Sequence, residues 1–141
     1  HAIDKKLKEF ESKHDDYSAI MLKALADRLA EAFAEKMHQR VRTELWGYVA
    51  SESLTNDELI QEKYQGIRPA PGYPACPDHL VKKEMFECLS AGEIDMALTE
   101  SMAMTPASSV SGFYLASPHA QYFDVGRIGE DQQNDFAKRP K

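Results

Sequence analysis

Cysteine, basic charge and long apolar runs are all scarce in this chain of 141 residues. Its two cysteines, Cys76 and Cys88, are too few for a disulfide framework, so we expect a reduced, cytoplasmic setting. The 17 basic and 23 acidic residues give a net charge of −6, which argues against nucleic acid as a partner. No apolar run approaches the roughly 20 residues that cross a bilayer, so we expect no membrane partner either.

The short motifs that mark many enzyme sites are also missing. The sequence contains no GxGxxG, no Walker loop and no HExxH. Cys76 and His79 stand close together, but Cys88 does not complete a zinc-binding pattern, and no third group orients a Cys76–His79 nucleophile pair. We therefore predict no metal site and no catalytic acid, base or nucleophile.

The overall composition is typical of one soluble globular domain. Charged residues make up 28% of the chain and hydrophobic residues 43%, which distinguishes it from a disordered segment. A chain of this length can bury a substantial core. We find no internal repeat and no low-complexity tract, so we predict a single domain over residues 1–141.

Proline is concentrated in residues 66–79, which we call the proline-rich segment. Four of the seven prolines lie there, at positions 69, 71, 74 and 77. Proline fixes φ and removes a backbone donor, which excludes a helix interior or a central strand. We therefore predict a stiff, extended loop whose carbonyls have no sheet ladder to join, with Arg68 and Tyr73 inside it. Because such a loop has little conformational freedom to lose, it can bind a ligand at low entropic cost. Alternatively, it simply crosses the surface as a structural connection.

The longest helical pattern extends from Ile20 to Leu45, with no glycine or proline before Gly47. It predicts a helix of about 30 residues, capped by Asp15 or Asp16, that forms the spine of the fold. Asp27 and Glu31 are four residues apart and share its polar face, with His38 two turns further along. From the residues alone, this face is a solvated surface.

Shorter patterns complete an α+β fold. Their predicted bounds, in chain order, are a helix at 3–14, a helix from the capping box Thr55–Glu58 to about Tyr64 with Gly66 as its C-cap, a helix capped by Asp78 that ends near Leu89, strand-like runs at 94–99, 110–114 and 122–125, and a final helix at 129–138. Three successive strands on short connections predict an antiparallel meander. The expected architecture is a long helix and shorter helices packed with this small antiparallel sheet.

Several segments, in order along the chain, resemble the activation domain of cobalamin-dependent methionine synthase. They are RPAPGYPACPDH at 68–79, LTES at 98–101 and SVSGFY at 109–114, preceded by DYSAIM at 16–21 and AEAFAE at 30–35. The resemblance extends from about residue 15 to about residue 138. Domains of this family are longer than this chain, so the resemblance implies a domain truncated at both ends.

The resemblance implies that the proline-rich segment binds S-adenosylmethionine. Arg68 would hold the ligand's carboxylate and the backbone at Ala70 would contact its adenine, while four further side chains would line the site. They are Glu62, Tyr73, Tyr122 and Phe123. Phe123 stands where the family often has a tyrosine, so any hydrogen bond from that position is lost; ordinary core packing is the alternative for its ring. Glu100 either braces the arginine loop or points to solvent.

The resemblance also implies a partner and a reaction. Asp27 and Glu31 would face the cobalamin-binding domain of methionine synthase and receive the histidine released from cobalt. A flavodoxin-like reductant would supply an electron, and S-adenosylmethionine a methyl group, for reductive methylation of cob(II)alamin. The chain would thus serve a methyltransferase of methionine biosynthesis, without turnover by itself.

A second function remains open on the sequence. Family members carry a further acidic ligand contact upstream, before the position at which this chain begins. Without it, the chain could be a diverged interaction module that docks on a cobalamin-binding domain and binds no nucleotide.

Overall fold

The computed structural model describes residues 3–138, so the ends of the predicted domain, residues 1–2 and 139–141, lie outside it. Its elements are α1 (Asp4–Ser12), α2 (Asp16–Arg40), a π-helical turn (Val41–Leu45), α3 (Asn56–Ile60), α4 (Val81–Cys88), a 3-10 turn (Ala91–Ile94), β1 (Ala97–Leu98), β2 (Met104–Thr105) and α5 (Glu130–Ala137). The predicted α+β class, with a long helix and a small antiparallel sheet, is confirmed.

The predicted helical spine is α2 together with the π-helical turn. Asp15 is its N-cap, because the Asp15 Oδ1 accepts a hydrogen bond from the backbone N–H of Ser18 at 3.0 Å. The 25 residues of α2 continue into the 5 residues of the π-helical turn without a break. The helical backbone then ends before Gly47, which has a φ of +70°.

One face of α2 is apolar and exposed. Tyr17, Met21, Leu25, Leu29 and Phe33 follow one another at four-residue spacing, and their exposed fractions lie between 43% and 75%. Helical spacing predicts which face is apolar, whereas tertiary structure decides what covers it. Within residues 3–138 this face stays uncovered, and the core is centred instead on the C-terminal end of α2.

The core at this end of α2 is polar and aromatic. His38 and Arg42 are one turn apart and fully buried, at 0% exposure. The His38 ring stacks on Tyr114 and meets Tyr64 edge-on, both at a centroid distance of 4.9 Å. The Arg42 guanidinium lies 4.0 Å from the centre of the Tyr64 ring. The interpretation of His38 as part of a solvated face is therefore wrong, because the helix turns this ring into the core.

A bidentate ion pair anchors the loop that follows the spine. The Arg42 Nε and Nη2 donate to the two carboxylate oxygens of Glu52, each at 2.6 Å, and both side chains are almost fully buried. Paired, two-point geometry of this kind offsets the desolvation of both charges. Burial, with the charges of Arg42 and Arg68 nearby, lowers the pKa of His38 to about 4.

The helix α3 is shorter than predicted. Its capping box is present, because the Thr55 Oγ1 accepts the N–H of Glu58 at 3.3 Å and the Glu58 Oε2 accepts the N–H of Thr55 at 2.9 Å. The helix ends at Ile60, and Glu62 then adopts a left-handed conformation at φ +53°. Gly66 lies beyond this turn, so its prediction as a C-cap is wrong.

The helix α4 begins later than its predicted cap implies. The Asp78 Oδ1 accepts the N–H of Leu80 at 2.8 Å, which closes a turn before the helix rather than its first turn. The helix itself starts at Val81 and ends at Cys88, close to the predicted end.

Within the described residues the sheet has two strands rather than the three of the predicted meander. The strands β1 and β2 pair antiparallel, with Leu98 opposite Met104. The first predicted run, 94–99, contains β1. The runs at 110–114 and 122–125 are not strands of this sheet, and their prediction is wrong because their backbones bond to the proline-rich segment instead.

The proline-rich segment is fixed by its own short antiparallel ladder. Ile67 and Leu115 exchange both backbone hydrogen bonds at 3.0 Å. Two further backbone bonds hold the segment, from Phe113 to Pro69 at 3.0 Å and from Val125 to Pro74 at 3.1 Å. The predicted lack of a ladder is therefore wrong for these carbonyls, although the segment is extended at its start as expected.

Gly112 allows the two backbones to approach each other. A Cβ at this position would lie 2.9 Å from the carbonyl oxygen of Pro69, well inside ordinary contact distance. A Cβ at Gly66, where φ is +86°, would likewise lie too close to the carbonyl oxygen of Leu115, at 2.5 Å. Glycine at both positions therefore sets the spacing between the proline-rich segment and residues 112–115.

Both cysteines are free thiols, with Cys76 partly buried and Cys88 exposed. No group of three or more metal-ligating side chains occurs within residues 3–138. None of the helices in that span combines the length and the apolar character needed to cross a membrane.

We expect Gly112→Ala to lower the free energy of unfolding by about 1–3 kcal/mol, because the added methyl group pushes against a backbone carbonyl. Gly92→Ala is the matched control, since a Cβ there meets nothing within 4 Å. Urea unfolding followed by circular dichroism measures both changes. Equal midpoints for the two variants would show that the ladder does not need this close approach.

We expect stability to fall as the pH drops from 6.5 towards 4. The unfolded chain protonates His38 in this range whereas the folded chain does not, so the slope reaches up to about 1.4 kcal/mol per pH unit. His38→Gln should remove most of this slope between pH 6.5 and 5, and His119→Gln, at an exposed histidine, should retain it. Urea unfolding across the pH series measures the slope, and its survival in His38→Gln would contradict this assignment.

Candidate functional site

The proline-rich segment forms one wall of a cavity of about 1260 Å³. The C-terminal half of α2 forms the facing wall, and residues 108–112 and 122–124 close the sides. All six residues that the sequence assigned to ligand binding line this cavity. They are Glu62, Arg68, Ala70, Tyr73, Tyr122 and Phe123.

Arg68 is fixed by contacts to α2 and to the segment before the proline-rich segment. Its Nη2 lies 2.7 Å from the Glu35 Oε2, and both side chains are about three-quarters buried, at 23% and 26% exposure. Its Nη1 donates to the Tyr64 hydroxyl at 3.2 Å and lies 3.3 Å from the His38 Nδ1. The Nε makes no hydrogen bond to any residue in 3–138.

These contacts set the protonation states around Arg68. Burial works against its charge, but the hydrogen bond from Arg68 to Glu35 and the nearby Tyr64 hold its pKa above the ordinary value. Burial raises the pKa of Tyr64 to about 12. Since the pKa of His38 is about 4, its ring is neutral near pH 7 and its Nδ1 accepts a hydrogen bond from Arg68. The Arg68 guanidinium is therefore positively charged and is flanked at Nη1 by the neutral rings of His38 and Tyr64.

Ala70 offers free backbone to the cavity. Its N–H and its carbonyl have no hydrogen-bond partner in the part of the chain that the structure describes. The neighbouring Pro69 carbonyl is already bonded to Phe113, at 3.0 Å. The predicted unpaired backbone groups are therefore found at Ala70, which can recognise a ligand by one donor and one acceptor.

Three aromatic rings are presented to the cavity rather than packed in the core. Tyr73, Tyr122 and Phe123 are 65%, 43% and 63% exposed. The Tyr122 hydroxyl accepts the backbone N–H of Arg68 at 3.1 Å, which links the two sides of the cavity. For Phe123, whose alternative was core packing, the ring is instead available to a ligand.

Carboxylates complete the lining of the cavity. Glu62 is exposed, and its left-handed φ of +53° is uncommon for a residue other than glycine. Glu31 and Asp124 also line the cavity. Two cations, Arg68 and Lys82, and three carboxylates thus line the same space, so the cavity can pair with a ligand that carries both anionic and cationic groups.

Asp27 and Glu31 border a second cleft, of about 300 Å³, which shares the wall formed by residues 108–110 with the large cavity. The Ser108 hydroxyl donates to the Asp27 Oδ1 at 2.6 Å. Glu31 is exposed and has no hydrogen-bond or ion-pair partner between residues 3 and 138. The cleft therefore has one carboxylate oriented by the protein and one that is free.

The residues that hold Arg68 and Asp27 were not predicted from the sequence. Glu35 continues the four-residue spacing of Asp27 and Glu31 along α2, so the spacing alone could have indicated it. Tyr64 and Ser108 have no such signal, because only the tertiary fold brings them to their partners. Glu100 is exposed and has no partner within residues 3–138, so of its two alternatives the structure selects the one that points to solvent.

Known proteins with the same sequence pattern and fold identify the family. Residues 1–141 match the family described as vitamin B12 dependent methionine synthase, activation domain. A crystal structure of the MetH reactivation domain bound to AdoHcy is similar to this chain, with 56% sequence identity and a TM-score of 0.91. The match covers 95% of this chain and 42% of that chain, so this chain spans less than half the length of the solved one. The chain belongs to the family of activation domains of vitamin B12 dependent methionine synthase.

Proposed function

We propose that the cavity binds S-adenosylmethionine in support of the reactivation of a cobalamin-dependent methionine synthase. One observation carries the proposal: Arg68 is held at the cavity by Glu35, Tyr64 and His38 with its Nε unpaired, and the five other residues that the resemblance assigned to this ligand line the same cavity. The similar MetH reactivation domain was solved with AdoHcy, the demethylated form of the same molecule.

The chemistry of the lining fits the ligand group by group. The Arg68 guanidinium matches the ligand's carboxylate, and the free N–H and carbonyl of Ala70 match the edge of an adenine. Glu62 is a candidate for the ligand's ammonium. The exposed rings of Tyr73 and Tyr122 can stabilise a sulfonium by about 0.5–2 kcal/mol. Phe123 offers a ring without a hydroxyl.

The role of this chain is to position the ligand. The cobalt chemistry would belong to cobalamin held by a partner domain, which would take the methyl group together with one electron from a flavodoxin-like reductant and leave S-adenosylhomocysteine. The residues of the cavity orient the sulfonium methyl group towards that partner. We propose that this takes place in the cytoplasm, where the free Cys76 and Cys88 stay reduced, and that the chain has no turnover by itself.

We expect Arg68→Lys to weaken S-adenosylmethionine binding at least about tenfold, since a planar, charge-assisted pair is worth roughly 1.5–3 kcal/mol. Arg127→Lys, at an exposed arginine outside the cavity, is the matched control and should bind like the parent chain. Isothermal titration calorimetry measures both. Failure of the parent chain to bind at millimolar ligand would favour the alternative, an interaction module that docks without nucleotide.

We further propose that Asp27 and Glu31 contact the cobalamin-binding domain. The supporting observation is their cleft, in which Ser108 orients Asp27 and Glu31 is free. Two carboxylates favour the protonated form of an imidazole brought between them, which suits a histidine released from cobalt.

We expect the double variant Asp27→Asn, Glu31→Gln to bind a cobalamin-binding domain about tenfold more weakly than the parent chain, because charge-assisted hydrogen bonds to the imidazolium are lost. Glu87→Gln, on the exposed side of α4, is the control. Titration of the cobalamin domain followed by its visible spectrum reports both affinity and loss of the histidine ligand. An unchanged affinity and spectrum would place the contact elsewhere.

A further inference from the structure

We propose that Glu35 is a positioning residue for ligand binding: it orients Arg68 so that its free donors face the ligand's carboxylate. The proposal rests on the proposed binding of S-adenosylmethionine. Glu35 is not itself among the residues that line the cavity, so it acts through Arg68 rather than by contact with the ligand.

The contacts of Arg68 leave little freedom to its guanidinium. Three protein groups hold it, two from α2 and one from Tyr64: Glu35 lies 2.7 Å from Nη2, and Tyr64 and His38 lie 3.2 and 3.3 Å from Nη1. An arginine side chain in solution has several rotatable bonds, and a ligand that binds it must order them. Here Glu35 has ordered them before the ligand arrives.

A count of donors shows which part of Arg68 remains for a ligand. The guanidinium has five N–H groups. Within residues 3–138, Tyr64 and His38 take the two of Nη1, and Glu35 takes one of Nη2. The Nε donor and one Nη2 donor are left, which suffices for the two oxygens of one carboxylate. By occupying one donor of Nη2, Glu35 therefore leaves the Nε and the other Nη2 donor of Arg68 for the ligand.

Glu35 is a negative charge near a site for a carboxylate, so its repulsion must be weighed against its positioning effect. The amino-acid part of the ligand carries a carboxylate and an ammonium on the same carbon. The field of Glu35 acts on these two charges with opposite sign, and the effects largely cancel. The ordering of Arg68 does not cancel, so we expect loss of Glu35 to weaken binding.

The ligand itself offers a way to separate positioning from general support of the fold. S-adenosylhomocysteine has the amino-acid part that Arg68 would hold, and 5′-methylthioadenosine has the same adenosine and sulfur without it. If Glu35 acts through Arg68 on the carboxylate, its removal affects the first ligand and spares the second. A merely structural role would weaken both.

The experiment is calorimetric titration of the 141-residue chain and its variants with the two ligands. We expect Glu35→Ala to weaken binding of S-adenosylhomocysteine about tenfold and Glu35→Gln, which retains an oxygen acceptor, to weaken it less. Binding of 5′-methylthioadenosine should stay within about twofold. Glu44→Ala is the matched control, since it breaks an exposed arginine–glutamate pair of 2.8 Å with Arg40 on the same helical spine.

A double variant adds an independent check. In an Arg68→Lys background, Glu35→Ala should have little further effect on S-adenosylhomocysteine binding, because both act on one contact. Equal losses for the two ligands, additive effects in the double variant, or unchanged binding in Glu35→Ala would each overturn the proposal. Absence of binding by the parent chain would instead contradict the proposed function, so the two failures are distinct.

Discussion

Arg68 and Glu35 form a largely buried ion pair between the proline-rich segment and the long helix α2, with 2.7 Å between the Nη2 and the Oε2. A flexible side chain at a ligand cavity would have to be ordered by each ligand that binds. Here Glu35 on α2 holds the guanidinium of Arg68, which itself lines the cavity between α2 and the proline-rich segment. The geometry of the candidate site therefore depends on how the spine is placed against the proline-rich segment.

That placement is fixed by an unusual core. Instead of a large apolar centre, the chain buries His38 and Arg42 among tyrosine rings, and it pairs Arg42 with Glu52 through two bonds of 2.6 Å. Burying polar groups is costly unless they are paired. The two bonds to Glu52 and the Tyr64 ring against the guanidinium offset the burial of Arg42, whose Nη1 has no hydrogen-bond partner within residues 3–138. The neutral His38 links the core to Arg68, at 3.3 Å from its Nη1.

Residue spacing, capping side chains and proline predicted those parts of the fold that depend on neighbouring residues along the chain. The spine, the capping box of α3 and the stiff segment at Arg68 follow from spacing, side-chain oxygens and proline. The prediction of a meander was wrong because the alternation at 110–114 indicates an extended backbone but does not indicate which segment it pairs with. The partner is the proline-rich segment, through the pairing of Leu115 with Ile67. The six ligand residues could be assigned by resemblance, whereas Tyr64 as the support of Arg68 required the tertiary structure.

The most direct test of this account is a crystal structure of the chain with S-adenosylhomocysteine at high occupancy. We expect the ligand's carboxylate within hydrogen-bond distance of the Arg68 Nε, with the Glu35 ion pair intact and the adenine edge at the Ala70 backbone. A ligand bound away from the proline-rich segment, or a guanidinium that has left Glu35 to reach it, would contradict the account.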